Sequence, residues 1–268
     1  MSSTFPNRMY LHAAQTDRQD NSLTLSTLPT IWDTLAAHHL TGRYYFSDIP
    51  FLALWGPKYL SIGRLIGDLF VDLTAGTLPD VAFIDPHMLG EAQGLSNDDH
   101  PHADIRNGEA FMNLIYTAVT TSPAWKKTVL IITFDEWGGF FDHVPPQTAL
   151  DVNPADSLRG FRVPCLVISP WSFGSNVVAH TVFDHTSILK MIEWRWNLPP
   201  LTPRDAAANN LATVLSPGKP LKRGGGYVVP PGPFGQPCLA TATSTITPTS
   251  EWAGLASQAA SYGWPLGL

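Results

Sequence analysis

An α/β domain with a mostly parallel sheet flanked by helices is the fold the sequence predicts, and three observations predict it. Apolar, β-branched runs at residues 80–84, 129–134 and 163–168 have the length of buried strands. Helical patterns separate them, an order that lays helices on the faces of a parallel sheet. Each run ends on polar or turn residues: Asp85-Pro86-His87, Asp135-Glu136 and Ser169-Pro170. In open α/β sheets, ligands bind beyond the carboxyl ends of the strands.

Taken in order, residues 31–39 and 60–73 read as helices, the second amphipathic and closed by Gly76. The strand 80–84 follows. Residues 108–121 carry Phe111, Leu114, Ile115 and Ala118 on one predicted helix face. The strand 129–134 then stops at two adjacent carboxylates with Gly138-Gly139 close behind. The strand 163–168 holds Cys165, which reads as a small core residue. Asp184-His185-Thr186-Ser187 is a capping sequence for a helix over 186–196. From Leu215 the composition turns to Pro and Gly, then to Thr and Ser. An irregular wrap over 215–250 within a single 1–268 domain is expected, ending in a short helix near 254–262.

The totals set limits. A chain of 268 residues allows one large domain or two small ones. Its 44% hydrophobic content excludes wholesale disorder. With 14% charged residues, 21 glycines and 24 prolines, it should be rich in ordered loops. A net charge of −6 offers no broad basic surface, so a nucleic-acid partner is not expected. No stretch approaches the ~20 apolar residues of a membrane-spanning helix, and no signal-peptide pattern precedes the first motif. Cys165 and Cys238 allow one bridge or none. Nothing here fixes an oligomeric state.

Chemistry concentrates in a few places. Asp135 and Glu136 sit where an apolar strand exits, and charges there are costly unless water, hydrogen bonds or a cation compensates them. They read either as a cap or ion pair or as metal ligands; the glycines that follow permit close approach of a ligand. Phe140-Phe141-Asp142-His143 adds an acid and an imidazole. The knot Asn97-Asp98-Asp99-His100-Pro101-His102 is an Asx-turn device or brings His100 or His102 as proton donor or phosphate contact. His38-His39 at a helix end suits the helix dipole or a ligand. Thr4 in Thr4-Phe5-Pro6-Asn7-Arg8 gains meaning beside a metal, which would lower the pKa of its hydroxyl. Trp137, Phe140, Phe141 and Trp171 pack a core or meet a choline headgroup by cation–π contact.

Seven motifs in register carry a family resemblance. They are 4–8, Gly76-Thr77-Leu78-Pro79, 97–101, 134–139, 141–146, Arg162-Val163-Pro164 and 183–187. Together they resemble the bacterial and fungal phosphoesterases that include non-haemolytic phospholipase C and a respiratory-burst-inhibiting acid phosphatase. The resemblance runs from about Thr4 to beyond Trp252 and implies an alkaline-phosphatase-like fold.

It implies a phosphoric ester hydrolase with one divalent metal ion, a hard one given oxygen-rich ligands. Thr4 would be the nucleophile and a metal ligand, with Asp135 and Glu136 the paired acidic ligands. Asn7 would bond a phosphoryl oxygen, and His100 would contact the phosphate or protonate the leaving oxygen. His38 or His39 falls near phosphate-binding histidines of the acid phosphatase, and His185 is a further pocket candidate. Two in-line displacements through a phosphothreonine would follow. The expected substrate is a phospholipid cut on the glycerol side. The alternatives are a phosphomonoester, as for an acid phosphatase, and a catalytically inactive remnant. Family members also carry an upstream strand ending in a Glu-Asn pair that adds metal ligands. Only three residues precede Thr4, so an N-terminally truncated sheet with exposed edges is expected. Relatives of this family are commonly secreted or periplasmic.

Overall fold

The structure, a computed structural model, describes residues 3–173, 177–216, 218, 220, 228, 229, 234 and 250–268. Its main elements in chain order are α1 (Thr4–Ala13), α2 (Ile31–Ala37), β1 (Gly42–Phe46), β2 (Gly63–Leu65), α3 (Ile66–Ala75) and β3 (Val81–Asp85). They continue with α4 (Ile105–Thr121), β4 (Leu130–Thr133), β5 (Cys165–Ile168), α5 (His185–Trp196), α6 (Pro203–Ala207) and α7 (Ser250–Ser261). Most of the expected wrap, and Cys238 with it, lies outside the described residues. Two compact units divide the chain. The first draws on Met1–Ser22, Thr27–Thr41 and Thr128–Lys222, the second on Leu23–Ser26, Gly42–Lys127 and Arg223–Leu268.

The second unit holds the parallel sheet, in the order β2-β1-β3. Its central strand β1 reads Gly-Arg-Tyr-Tyr-Phe, and Tyr44, Tyr45 and Phe46 are all fully buried. A strand covered on both faces loses the alternation that marks a half-exposed one, which is why sequence pattern missed it. Buried phenols need partners, and they have them. Tyr44 donates to Asp85 at the end of β3, and Tyr45 donates to Asp72 of α3 at 2.5 Å. Gly76, in the left-handed conformation with φ 70°, ends α3 as expected. The predicted helix 60–73 divides, because its first residues supply β2. A Cβ on Gly63 would lie 2.4 Å from the Trp264 ring, so glycine is required where that indole crosses β2. On α4 the buried residues are Gly108, Ile115, Tyr116, Val119 and Thr120, while Leu114 is exposed. The stripe is rotated from the predicted one because several helical stripes fit the spacing and only tertiary packing selects among them.

In the first unit, α1 packs on α5 and α2, and α5 on α6. Helix α1 is buried from Phe5 to Ala13, which no motif announced. Here β4 and β5 form an antiparallel ribbon pairing Leu130 with Ile168 and Thr133 with Cys165. Two expectations change as a result. The predicted strands are present, but Cys165 and Leu166 are exposed, because each strand pairs only with the other among the described residues. Ser169-Pro170 lies at the end of the ribbon away from Asp135, with Ser169 Oγ donating to the Thr128 carbonyl at 3.0 Å. Arg162-Val163-Pro164, entering β5, takes the place beside the exit of β4.

Candidate active site

The exit of β4 is where three segments of the first unit meet. Asp135 and Glu136 leave the strand partly buried, and a local turn holds both. Asp135 Oδ1 accepts from the Glu136 amide at 3.0 Å, and Glu136 Oε2 accepts from the Gly138 amide at 2.7 Å. Gly138 and Gly139 have φ of 64° and 79°, a backbone that other residues rarely adopt. Removal from water raises the pKa of Glu136, and the adjacent Asp135 charge raises it further against the lowering effect of the Gly138 and Trp137 amides. Such a pair calls for positive charge.

Helix α1 supplies some of it. Arg8 is 6% exposed, and its Nη1 lies 3.7 Å from Asp135 Oδ2. Thr4, partly buried, opens the same helix one turn earlier, a rise of about 6 Å. The Phe5 amide in that first turn is taken by Asn21 Oδ1 at 2.8 Å. Asn7 is buried, and its Nδ2 donates to the Ser3 carbonyl at 2.8 Å, so part of the amide predicted to hold phosphate secures the start of its own helix. Further along, His12 is fully buried and accepts from Trp32 Nε1 at 3.3 Å; burial and the Arg8 charge keep it neutral.

The third segment is the start of α5. Asp184 caps it through Thr186 and Ser187, as the sequence predicts. His185 follows, with Nε2 3.1 Å from the Phe134 carbonyl, immediately before Asp135. Withdrawal from water lowers its pKa despite the opposing charges of Asp184 and Asp135, so the ring is neutral near pH 7. A neutral ring donates from one nitrogen, and Nε2–H to this carbonyl leaves Nδ1 as acceptor. The structure therefore brings Arg8, Asp135, Glu136 and His185 together, with Asn7 next to Arg8 in sequence and Thr4 one turn back on α1.

The remaining predicted histidines stand on other elements. His38 and His39 stand exposed at the end of α2, His39 with φ 58°. His100 belongs to the second unit, where its Nδ1 lies 3.4 Å from Glu91 Oε2 and its ring 5.0 Å from that of His102. The knot around it is an Asx-turn device as well, since Asp98 Oδ1 accepts from the His100 amide at 3.2 Å. Arg8 is the site residue that sequence reasoning passed over, though it stood inside a quoted motif. Its signal was a lone arginine one helical turn after a candidate hydroxyl.

A model of the phosphoesterase family matches residues 1–199, and the chain belongs to that family. It is 31% identical to "Non-specific phospholipase C1" of Arabidopsis thaliana, over 77% of this chain and 44% of the relative. To "Non-specific phospholipase C6" of the same plant it is also 31% identical, over 80% of this chain and 47% of the relative. "Phospholipase C A" of Mycobacterium tuberculosis is 37% identical over 50% of this chain and 28% of its own length. The chain thus spans about half the length of the plant relatives it matches.

Proposed function

We propose that this chain is a metal-dependent phosphoric ester hydrolase of the phospholipase C type, acting through a phosphothreonine on Thr4. The observation that carries the reading is the approach of Arg8 to Asp135, which ties the helix opened by Thr4 to the paired carboxylates. Names of the relatives support the ester class, and the meeting of α1 with the exit of β4 supports Thr4 and the carboxylates as its machinery.

The donor set fits a hard divalent ion. Two neighbouring carboxylates, one with a raised pKa, and a hydroxyl offer oxygen alone. Among the described residues no group of three or more His, Cys, Asp and Glu is gathered. Water and substrate phosphate would therefore complete the shell, as is common for Mg²⁺. When bound, the ion would acidify the hydroxyl and offset charge on the phosphoryl oxygens.

The residues of the chain then divide the work. Thr4 Oγ1 attacks phosphorus in line, and the bond to the ester oxygen breaks. Arg8 sits one turn away with its guanidinium at the carboxylates, holding α1 in register. His185, fixed to the Phe134 carbonyl, keeps the strand exit rigid beneath Asp135. Water then cleaves the phosphothreonine and regenerates Thr4.

The test is p-nitrophenol release from a phosphorylcholine diester and from the phosphate monoester, with divalent ions, with chelator, and in Thr4→Ala. Chelator-sensitive turnover that Thr4→Ala abolishes is the expected result, with the diester preferred. Preference for the monoester would shift the reading to a phosphatase. A folded chain inert under every ion would overturn it in favour of an inactive remnant. His100→Asn checks the proton-donor role. Alkyl esters should slow far more than p-nitrophenyl esters, whose leaving group needs no acid.

A further inference from the structure

We infer that the aromatic loop continuing from Glu136 is the surface through which this chain docks on a zwitterionic phospholipid bilayer, an inference that rests on the phosphoesterase reading above. Phe140 and Phe141 are 69% and 85% exposed. Among the described residues Phe173 is the one other phenylalanine more than half exposed, at 59%, while Phe5, Phe46 and Phe51 are fully buried. The loop is not loosely extended chain. Gly138 and Gly139 fix it at positive φ, and the Phe140 amide closes a turn on the Trp137 carbonyl at 3.1 Å.

Behind the two exposed rings stands an aromatic base. Trp137 meets Phe161 edge-on at 5.0 Å between ring centroids, and Phe141 lies 6.4 Å from the same ring. Trp137, Phe140 and Phe141 line an open cavity of 440 Å³ together with Asp142, Arg162, Val163 and Pro164. An exposed aromatic patch with an ordered base marks an interaction surface rather than a stray apolar residue.

Charge selects the occupant. On the rim Asp142 and Arg162 form two parallel bonds of 2.7 Å, with His143 Nδ1 3.6 Å from Asp142. Their opposite charges cancel at a distance, and the chain as a whole carries −6. An anionic bilayer would gain no attraction from this rim and would be repelled by the net charge. A zwitterionic headgroup carries the complementary pair, a phosphate for Arg162 and a quaternary ammonium for Asp142. Phe140 and Phe141 then enter the acyl boundary while the rim stays at headgroup level. The patch is continuous with Glu136 along the chain, so docking would present the ester to the carboxylates.

The experiment is cosedimentation of the full chain with phosphatidylcholine vesicles and with phosphatidylglycerol vesicles, for the native sequence and for Phe140→Ala/Phe141→Ala. Both rings are mostly exposed, so the double variant should keep its thermal transition. Phe141→Trp provides a second readout, a blue shift of its emission on vesicles. The expected result is binding to phosphatidylcholine that weakens by at least about tenfold in the double variant, as loss of two buried rings implies. Equal binding by the variant, no binding by the native chain, or preference for phosphatidylglycerol would overturn the inference. Loop-dependent binding without turnover of any ester would overturn the phosphoesterase reading and leave the docking surface standing.

Discussion

Arg8 shows how one buried side chain can organise a site. Its guanidinium is nearly out of water and faces Asp135, whose own neighbour Glu136 is already reluctant to ionise. Arg8→Ala would leave the two carboxylates to repel each other, at a cost of about 2–3 kcal/mol, and would release α1. Turnover should fall with stability in the alanine variant. Added guanidinium should restore part of the turnover if the charge at Asp135 matters, and none if only packing was lost. Glu193 makes the complementary case. It is 3% exposed, and removal from water together with the neighbouring Asp205 carboxylate raises its pKa to about 9. A carboxyl whose pKa is higher folded than unfolded favours the fold below its unfolded value, near 4.5, and progressively loses that contribution as pH rises towards 9. Glu193→Gln should therefore flatten the decline of the melting temperature between these limits. A wild-type decline of equal slope in the variant would place the titration elsewhere.

At the scale of elements, the start of α5 carries more than its cap. Asp184 accepts from the Thr186 amide and hydroxyl, and its carboxylate also lies 2.9 Å from Arg159 and 3.4 Å from Arg204. Burial alone would raise its pKa, but Thr186 and the two guanidiniums overcome that and hold it below the usual range. Asp184→Ala should cost about 2–4 kcal/mol, beyond the ~1 kcal/mol of a lost cap, and double-mutant cycles with Arg159 would assign the excess. Its stabilisation is present above pH 4 or so and disappears as pH falls through the lowered value. The cap was legible because Asp-x-x-Ser before an apolar helix is a local signal. So was the strand ending at Asp135, where a change from apolar to acidic residues is abrupt. Helix α1 was not, because its buried polar stripe of Asn7, Arg8 and His12 breaks amphipathic pattern. Nor was the direction of β5. The 31 residues between Thr133 and Cys165 decide whether the chain returns antiparallel, and no local rule reads a loop of that length.

For the molecule as a whole, the weak point of sequence reading was which distant segments fold together. Motif order is linear, but the first unit is assembled from three separated stretches of chain. Residues 128–222 contribute β4, β5, α5 and α6, yet α5 packs against α1 from the first stretch. Polar contacts repeat the dependence. Tyr10 donates to Asp151 at 2.6 Å, Gln19 to Asp156 at 2.6 Å, and Thr202 to the Ala14 carbonyl at 3.1 Å. Arg204, 5% exposed, lies 3.1 Å from Asp151 with its guanidinium 5.0 Å from the centre of the Tyr10 ring. Without residues 1–41 this arginine and Asp151 would lose Tyr10, and α5 would lose its packing against α1. A two-stranded ribbon is marginal alone in water. Residues 128–222 expressed alone should thus show no cooperative thermal transition by circular dichroism, and a mixture with a peptide of residues 3–22 should regain one only if α1 docks. A sharp transition in the isolated segment would mean that α1 is an addition to a unit that already folds, and that Arg8 is not needed to hold Asp135 in place.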